Sequence, residues 1–291
     1  MLTIAYLGPE KTNTHLAALK RFGRGSKYLH APTVDDVFHL VERRQADYGV
    51  VPIENSLAGS VTHTLDRFIN FIDTPVKIQG EIEQPIQHSL IVHRGVKLQK
   101  IGVVYSHPQA LAQCSQWLDK YLPNVRREET DSTAEAVAQV LNPFRWERWM
   151  EGSRHVTRGP RPYERAAIAR MELARGRKLR AISIPQERDN KTRFLVLGLD
   201  EPKRAQRSKT SILFSVKDRP GALHDALLSF KRERINMTKI ESRPSKRKAW
   251  EYLFFIDIEG YESEPRVKRA LSTLKRSTSL LRILGSYPVA K

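Results

Sequence analysis

TIAYLGPEKTNTHLAALKRFG, residues 3–23, sets a strand, a tight turn and a helix in one run. TIAYLG (3–8) reads as a strand, Gly8 and Pro9 turn the chain, and THLAALKRFG (14–23) reads as a helix with Thr14 as N-cap and Gly23 as its stop. The same alternation continues outward. DDVFHLVERRQ (35–45) has the period of an amphipathic helix and runs into the apolar strand YGVVPI (48–53). KIQGEI, SLIVH (89–93) and IGVVYS (101–106) follow, then HPQALAQCSQWLDKYL, whose Pro108 suits a first helical position, and STAEAVAQVL, which opens on a capping box of Ser132 with Glu135. Strands alternating with helices predict parallel α/β layers, with ligands beyond the carboxyl ends of the strands.

The pattern changes after Leu199. DEPKRAQRSK (200–209) is charged and without apolar periodicity, as a linker is. Beyond it TSILFSV is a strand, GALHDALLSF carries Leu223, Ala226, Leu227 and Phe230 at helical spacing, and INMTKIESRP and WEYLFFIDIE pair across an SKRKA turn. Val267, Ala270, Leu271 and Leu274 mark a second helix and SLLRILGSYP a closing strand. The order βαββαβ is that of a ferredoxin-like unit of roughly eighty residues, large enough for its own core.

Composition narrows the function classes. At 291 residues, with 40% hydrophobic and 28% charged, the chain is expected to form two globular domains. No stretch approaches the ~18 apolar residues of a membrane span, and the first residues lack a secretion signal, so a cytosolic place without a membrane partner is expected. Cys114 is the single cysteine, which excludes an internal disulfide and predicts a buried free thiol; no metal site is visible. The net charge of +18 invites a nucleic-acid reading. Its distribution, heaviest at 145–209, 231–234 and 245–250, brings no aromatic-interleaved motif and no basic heptad helix, so no nucleic-acid partner is expected. Solvated basic surface can still concentrate a small polyanion.

Candidate chemistry gathers at strand ends. YLGPEKTNTH (6–15) offers Thr12 and Thr14 at a helix start, a cradle for an anion. VVPIENSLAGSV (50–61) offers Asn55, Ser56 and Gly59; VYSHPQALAQC (104–114) offers Ser106, with Gln109 and Gln113 one turn apart. DNKTRFLVLG (189–198) delivers Asn190, Thr192 and Arg193 to the mouth of a buried strand. Taken singly these are ordinary loop polar groups. Ser106 beside His107 is not a nucleophile–base pair, because neighbours on a strand point opposite ways.

Taken together and in order, LGPE-T-TH, VPIENS--GSV, YSHPQALAQC, N-TRF and the GAL and ESRP stretches closely resemble prephenate dehydratase with its C-terminal ACT regulatory domain. The resemblance implies a periplasmic-binding-protein-like catalytic part of two α/β lobes over 1–199, the second lobe at roughly 80–175, with the site in the cleft between them. A linker (200–209) and an ACT domain (210–288) follow. It implies conversion of prephenate to phenylpyruvate, carbon dioxide and water without a cofactor, and feedback inhibition by phenylalanine. Thr192 then polarises the leaving hydroxyl, Arg193 suits a substrate carboxylate, and Asn55, Ser106 and Gln113 supply neutral donors. Thr12, Thr14, Ser56 and Phe194 complete the substrate site. Phenylalanine would sit at an interface of ACT domains, a homodimer or homotetramer, with Gly221, Ala222 and Leu223 at a helix start and Glu241, Ser242, Arg243 and Pro244 framing the ligand.

The chain departs from the family pattern at Lys11 and Asn13, where Gly and Phe are usual, and at LNPFRWERWMEGSRHVTRG (141–159), an insertion that reads first as a surface excursion, with a partner-binding loop and a disturbance of the second lobe as alternatives. Two other readings stay open: arogenate as the substrate, or a catalytically silent amino-acid sensor.

Overall fold

The structure is a computed structural model that describes residues 1–70, 73–141, 164–185, 190–202, 204–245 and 251–290. Nearly all of the inserted segment and of the SKRKA turn therefore lies outside the described residues. In chain order, β1 (Thr3–Leu7), α1 (Asn13–Phe22), β2 (Lys27–Ala31), α2 (Val34–Glu42), β3 (Tyr48–Asn55), β4 (Gly59–Ser60), α3 (Thr62–Asn70) and β5 (Lys77–Pro85) build most of the first lobe. The chain then forms β6 (Ser89–His93), β7 (Val103–Ser106), α4 (Pro108–Gln113), α5 (Ser115–Tyr121), β8 (Arg126–Glu129), α6 (Thr133–Leu141), β9 (Arg165–Ala169) and β10 (Leu179–Ser183) of the second. It returns to the first lobe as β11 (Lys191–Gly198).

Both lobe sheets are mixed rather than parallel. The first has the order β2-β1-β3-β11-β5, with β1 parallel to β2 and β3 but β11 antiparallel to β3 and β5. The second, β10-β6-β9-β7-β8, pairs β7 in parallel with β8 and β9, and β6 antiparallel to β9 and β10. The parallel halves come from the strand–helix units legible in sequence. The antiparallel strands are those entering or leaving a lobe, at a spacing no local pattern reveals. The two crossing segments hold each other, Ile86 N donating to Asn190 O at 2.8 Å.

Local sequence explains the helix starts. Thr12, not Thr14, caps α1, its hydroxyl accepting from His15 N, and Gly23 ends the helix at φ 72°. Thr14 lies inside the first turn, because the cap stands two residues earlier than the apolar spacing indicates. Pro108 occupies the first turn of α4 as expected. Ser132 Oγ accepts from Glu135 N at 3.1 Å, while Glu135 reaches back to Asp131 N, a variant of the capping box.

The rest of the chain, β12 (Ser208–Val216), α7 (Ala222–Arg232), β13 (Met237–Pro244), β14 (Tyr252–Glu259), α8 (Pro265–Ser277) and β15 (Thr278–Pro288), forms an antiparallel sheet of order β13-β14-β12-β15. Its helices cover one face, with Phe214, Phe230, Ile256 and Leu274 in the core between. The other face lies against the first lobe: Leu213, Phe255 and Leu284 share one apolar cluster with Val51, Phe68 and Leu195. Contact is close enough that a Cβ on Gly285 would stand 2.3 Å from Ile78 O, so β15 packs backbone to backbone on β5. Among the described residues no helix is long and apolar enough to cross a membrane.

Candidate active site

A cleft of about 640 Å³ opens between the lobes. The turns leading into α1, α3, α4 and α6 line it with Thr12, Asn13, Thr14, Thr62, His63, His107, Ser132 and Thr133. Among the described residues no lysine or arginine does so. The N-terminal ends of these helices border the space instead, although in α4 Pro108 has no amide hydrogen and Gln109 N and Ala110 N already bond to His107.

At its inner end the ends of β3 and β11 lie side by side, Asn55 opposite Thr192. Asn55 is buried, and its Nδ2 donates to Thr192 Oγ1 at 3.0 Å, to Asn190 Oδ1 at 2.9 Å and to Lys191 O at 3.0 Å. Its Oδ1 accepts from Leu57 N, Ala58 N and, at 3.4 Å, Gln113 Nε2. Gln113 Oε1 accepts from Asn190 Nδ2 at 3.1 Å and faces His88 Nε2 at 2.8 Å. Burial lowers the His88 pKa, followed in size by the opposing effect of the Gln113 bond and the repulsion of Arg170. A neutral imidazole with its proton on Nε2 suits the Gln113 carbonyl. Donors then point one way, from His88 to Gln113 to Asn55 to Thr192. Thr192 Oγ1 is thereby an acceptor toward Asn55, and its own proton is left to point at whatever occupies the cleft. Phe194, 1% exposed, forms apolar floor beside it.

The structure brings Thr12, Thr14, Asn55, Gln113, Thr192 and Phe194 together around this cleft. It separates the others. Arg193 cannot take a substrate carboxylate here: it is next to Thr192 on a strand, so it points to the opposite face, where it pairs with Glu54, Glu81 and Asp257 at 2.8–3.0 Å. Ser106 is fully buried and donates to Ile168 O at 2.7 Å, which makes it part of the second sheet rather than a donor to the cleft. Ser56 accepts from Lys191 N and so fastens the end of β11 from outside the cleft lining.

In the third sheet Gly221, with φ 76°, precedes α7, which begins with Ala222 and Leu223. Ser242 and Pro244 face solvent on β13. Glu241 and Arg243 do not. Strand alternation turns them to the first lobe, where Glu241 accepts from Ser60 Oγ at 2.8 Å and Arg243 forms a two-pronged pair with Asp66.

Sequence reading missed His88 and Arg170. His88 stands alone ahead of a strand, with no spacing to mark it. Arg170 directly follows the buried strand β9, at the sheet end where ligands bind, and that position was a usable signal. Its Nη1 donates across the lobes to Asn13 Oδ1 at 3.1 Å and to Pro85 O at 3.4 Å. The departure at Asn13 thus supplies an interlobe acceptor. Lys11 takes φ 67° and its amide donates to His15 Nδ1. Burial pushes the Cys114 thiol up to about 12, so this cysteine is an apolar core residue.

Comparison with known proteins gives the site a context. A family model described as prephenate dehydratase matches residues 4–202, and one described as ACT domain matches 210–276. A bifunctional chorismate mutase/prephenate dehydratase of Aquifex aeolicus is 45% identical over 99% of this chain and 74% of its own length. Arogenate dehydratase 2 of Petunia hybrida is 34% identical, over 99% of this chain and 72% of its own. Among solved structures, the prephenate dehydratase of Arthrobacter aurescens in complex with L-Phe superposes with a TM-score of 0.85 at 31% identity, covering 99% of this chain and 90% of that one. GqqA, described as a quorum quenching acylase, superposes at 0.78 with 26% identity, over 99% and 97%.

Proposed function

The chain belongs to the prephenate dehydratase family, and from that premise we propose that it converts prephenate to phenylpyruvate, carbon dioxide and water, under feedback control by phenylalanine. Prephenate carries two carboxylates and a ring hydroxyl. Loss of the ring carboxylate as carbon dioxide sends an electron pair into the ring and expels the hydroxyl, and aromaticity drives the step. The reaction is downhill, so the task of the protein is to hold a dianion and help hydroxide leave.

The observation that carries this reading is the one-way donor chain ending at Thr192. A hydroxyl that already accepts from Asn55 presents its proton to the leaving oxygen, and a donor fixed in advance in this way stabilises developing charge without the reorganisation that solvent needs. Helix starts suit the substrate better than lysines or arginines. Amides at α1, α3 and α6 bind carboxylates without pinning the ring carboxylate's charge as tightly as a guanidinium ion pair, so the charge can still flow into the ring. The chemistry uses no metal or organic cofactor.

In the regulatory half, the exposed edge strand β13 presents Ile240 and Met237 to solvent, half and a third exposed, which supports assembly of two or more chains there. Phenylalanine then lies between Gly221, Ala222 and Leu223 and the outward residues Ser242 and Pro244. A cytosolic place belongs to the same reading. Ultraviolet detection of phenylpyruvate from prephenate, with arogenate in parallel, tests the function: faster turnover of prephenate is expected, while faster turnover of arogenate reassigns the substrate and turnover of neither overturns the reading. Phenylalanine at millimolar concentration is expected to slow the reaction and raise the melting temperature.

A further inference from the structure

Behind Thr192, on the face of β11 turned away from the cleft, lies a cluster of three cations and three carboxylates, buried at Arg193, Glu81 and Asp257 and partly exposed at its margin, for which substrate binding has no use. Arg193 is its centre and touches all three acids. Nη2 meets Glu54 Oε1 at 2.8 Å, and Nη1 meets Glu81 Oε2 at 3.0 Å and Asp257 Oδ2 at 2.9 Å. Lys239 adds a contact to Glu54 at 2.6 Å and Lys209 one to Glu81 at 3.1 Å. Glu54 belongs to β3 and Glu81 to β5, both of the first lobe; Asp257 belongs to β14 of the regulatory sheet. One guanidinium therefore joins four strands of two domains.

We infer that Arg193 is a positioning residue: through this cluster it sets Thr192 from behind and ties the register of the donor chain to the placement of the regulatory sheet. The inference rests on the role given to Thr192 above.

The register makes the connection short. Thr192 opposes Asn55 and Arg193 opposes Glu54, so two adjacent dipeptides supply the reacting pair on one face and the ion pair on the other, with the strand irregularity immediately after Arg193. The guanidinium is a planar fork and accepts carboxylates only along fixed directions. A shift of β14 against β5 cannot be met by swinging a flexible side chain; it tilts the fork and the peptide unit that Arg193 shares with Thr192. Asp257 is itself braced inside the regulatory domain, its Oδ1 accepting from Ser211, whose hydroxyl also bonds the Tyr287 hydroxyl. Movement of the regulatory sheet thus reaches Asp257 as a unit.

Two variants test this without touching the cleft. Asp257→Asn and Glu81→Gln keep shape and remove one charge each. Each is expected to lower kcat for the better substrate at least tenfold with KM within twofold of wild type, measured well below each variant's melting temperature. Adding Asp257→Asn to Arg193→Gln is expected to cost little more than Arg193→Gln alone, because both act through one contact. Val267→Ala, in the core beneath the regulatory helices, is the control: it lowers the melting temperature and leaves kcat unchanged. If either charge variant folds and keeps kcat within twofold of wild type, or if the paired losses multiply, the positioning role is overturned while the proposed function stands. If the wild-type protein turns over neither prephenate nor arogenate, both readings fall together.

Discussion

The two faces of β11 are built on opposite electrical plans. Toward the cleft, Thr192 joins Asn55, Gln113 and His88 in a chain of neutral donors; away from it, one residue later, Arg193 sits among full charges balanced three against three. A neutral face can bind and release a dianion repeatedly. A charged face with matched partners gives up its geometry reluctantly, since any separation leaves an ion stranded in a dry interior. The protein places its adjustable chemistry and its rigid reference on alternate residues of one strand.

Removing the rigid side is expected to have the largest effect. Arg193→Met leaves the buried carboxylates of Glu81 and Asp257, and the partly exposed one of Glu54, without their common partner, and we expect a loss of about 3–5 kcal/mol in urea unfolding. Retained stability would mean that the cluster is wetter than its burial implies. On the cleft side, Thr192→Val deletes a hydroxyl and keeps the β-branched shape: turnover should fall at least about a hundredfold with the urea midpoint nearly unchanged. Near wild-type turnover removes Thr192 from the chemistry.

A smaller effect concerns His88. Burial lowers its folded pKa, so above its ordinary value both folded and unfolded states carry a neutral ring and pH has no influence through it. Below that value the unfolded chain takes up a proton that the folded one refuses, and stability falls as the solution is acidified. Between about pH 7.5 and about pH 5.5, His88→Gln should flatten the decline seen in wild-type urea midpoints. His15, shifted the same way by its burial, leaves a residual slope in both proteins. An identical slope would show that His88 takes up its proton as readily in the native state as in the unfolded chain.

The smallest change is expected at the domain margin. Arg243→Ala breaks a half-buried pair with Asp66 and should cost about 1 kcal/mol, far less than Arg193→Met. Equal losses would erase the distinction between the central cluster and its rim.

Much of this was legible in sequence. Pro108, the helical spacing of Val267, Ala270, Leu271 and Leu274, and the βαββαβ order are local signals, and local physics decided them. Arg193 was misread although the rule that corrects it was at hand: the alternation that sets Ser106 against His107 also sets Thr192 against Arg193. What the sequence did not show was a destination for the guanidinium, because Glu81 and Asp257 lie 112 and 64 residues away and in different domains. Ser106 was misread for a related reason, since its acceptor on β9 enters the chain beyond the insertion. Glu241 and Arg243 went astray because a strand's pattern gives two faces without saying which one meets the other domain.

The two crossings between the lobes carry a mechanical consequence. Asn190 lies in one and His88 in the other, and the segments are bonded together at Ile86. Groups set there stand at the axle of any opening motion, whereas Thr12 and Thr14 on one lobe and Ser132 and Thr133 on the other ride on its arms. Rotation sweeps a point in proportion to its distance from the axis. On the proposed reading, the helix starts that would hold the substrate's carboxylates can therefore part to admit or discharge a molecule while the hydroxyl of Thr192, bonded to the axle through Asn55, would scarcely travel.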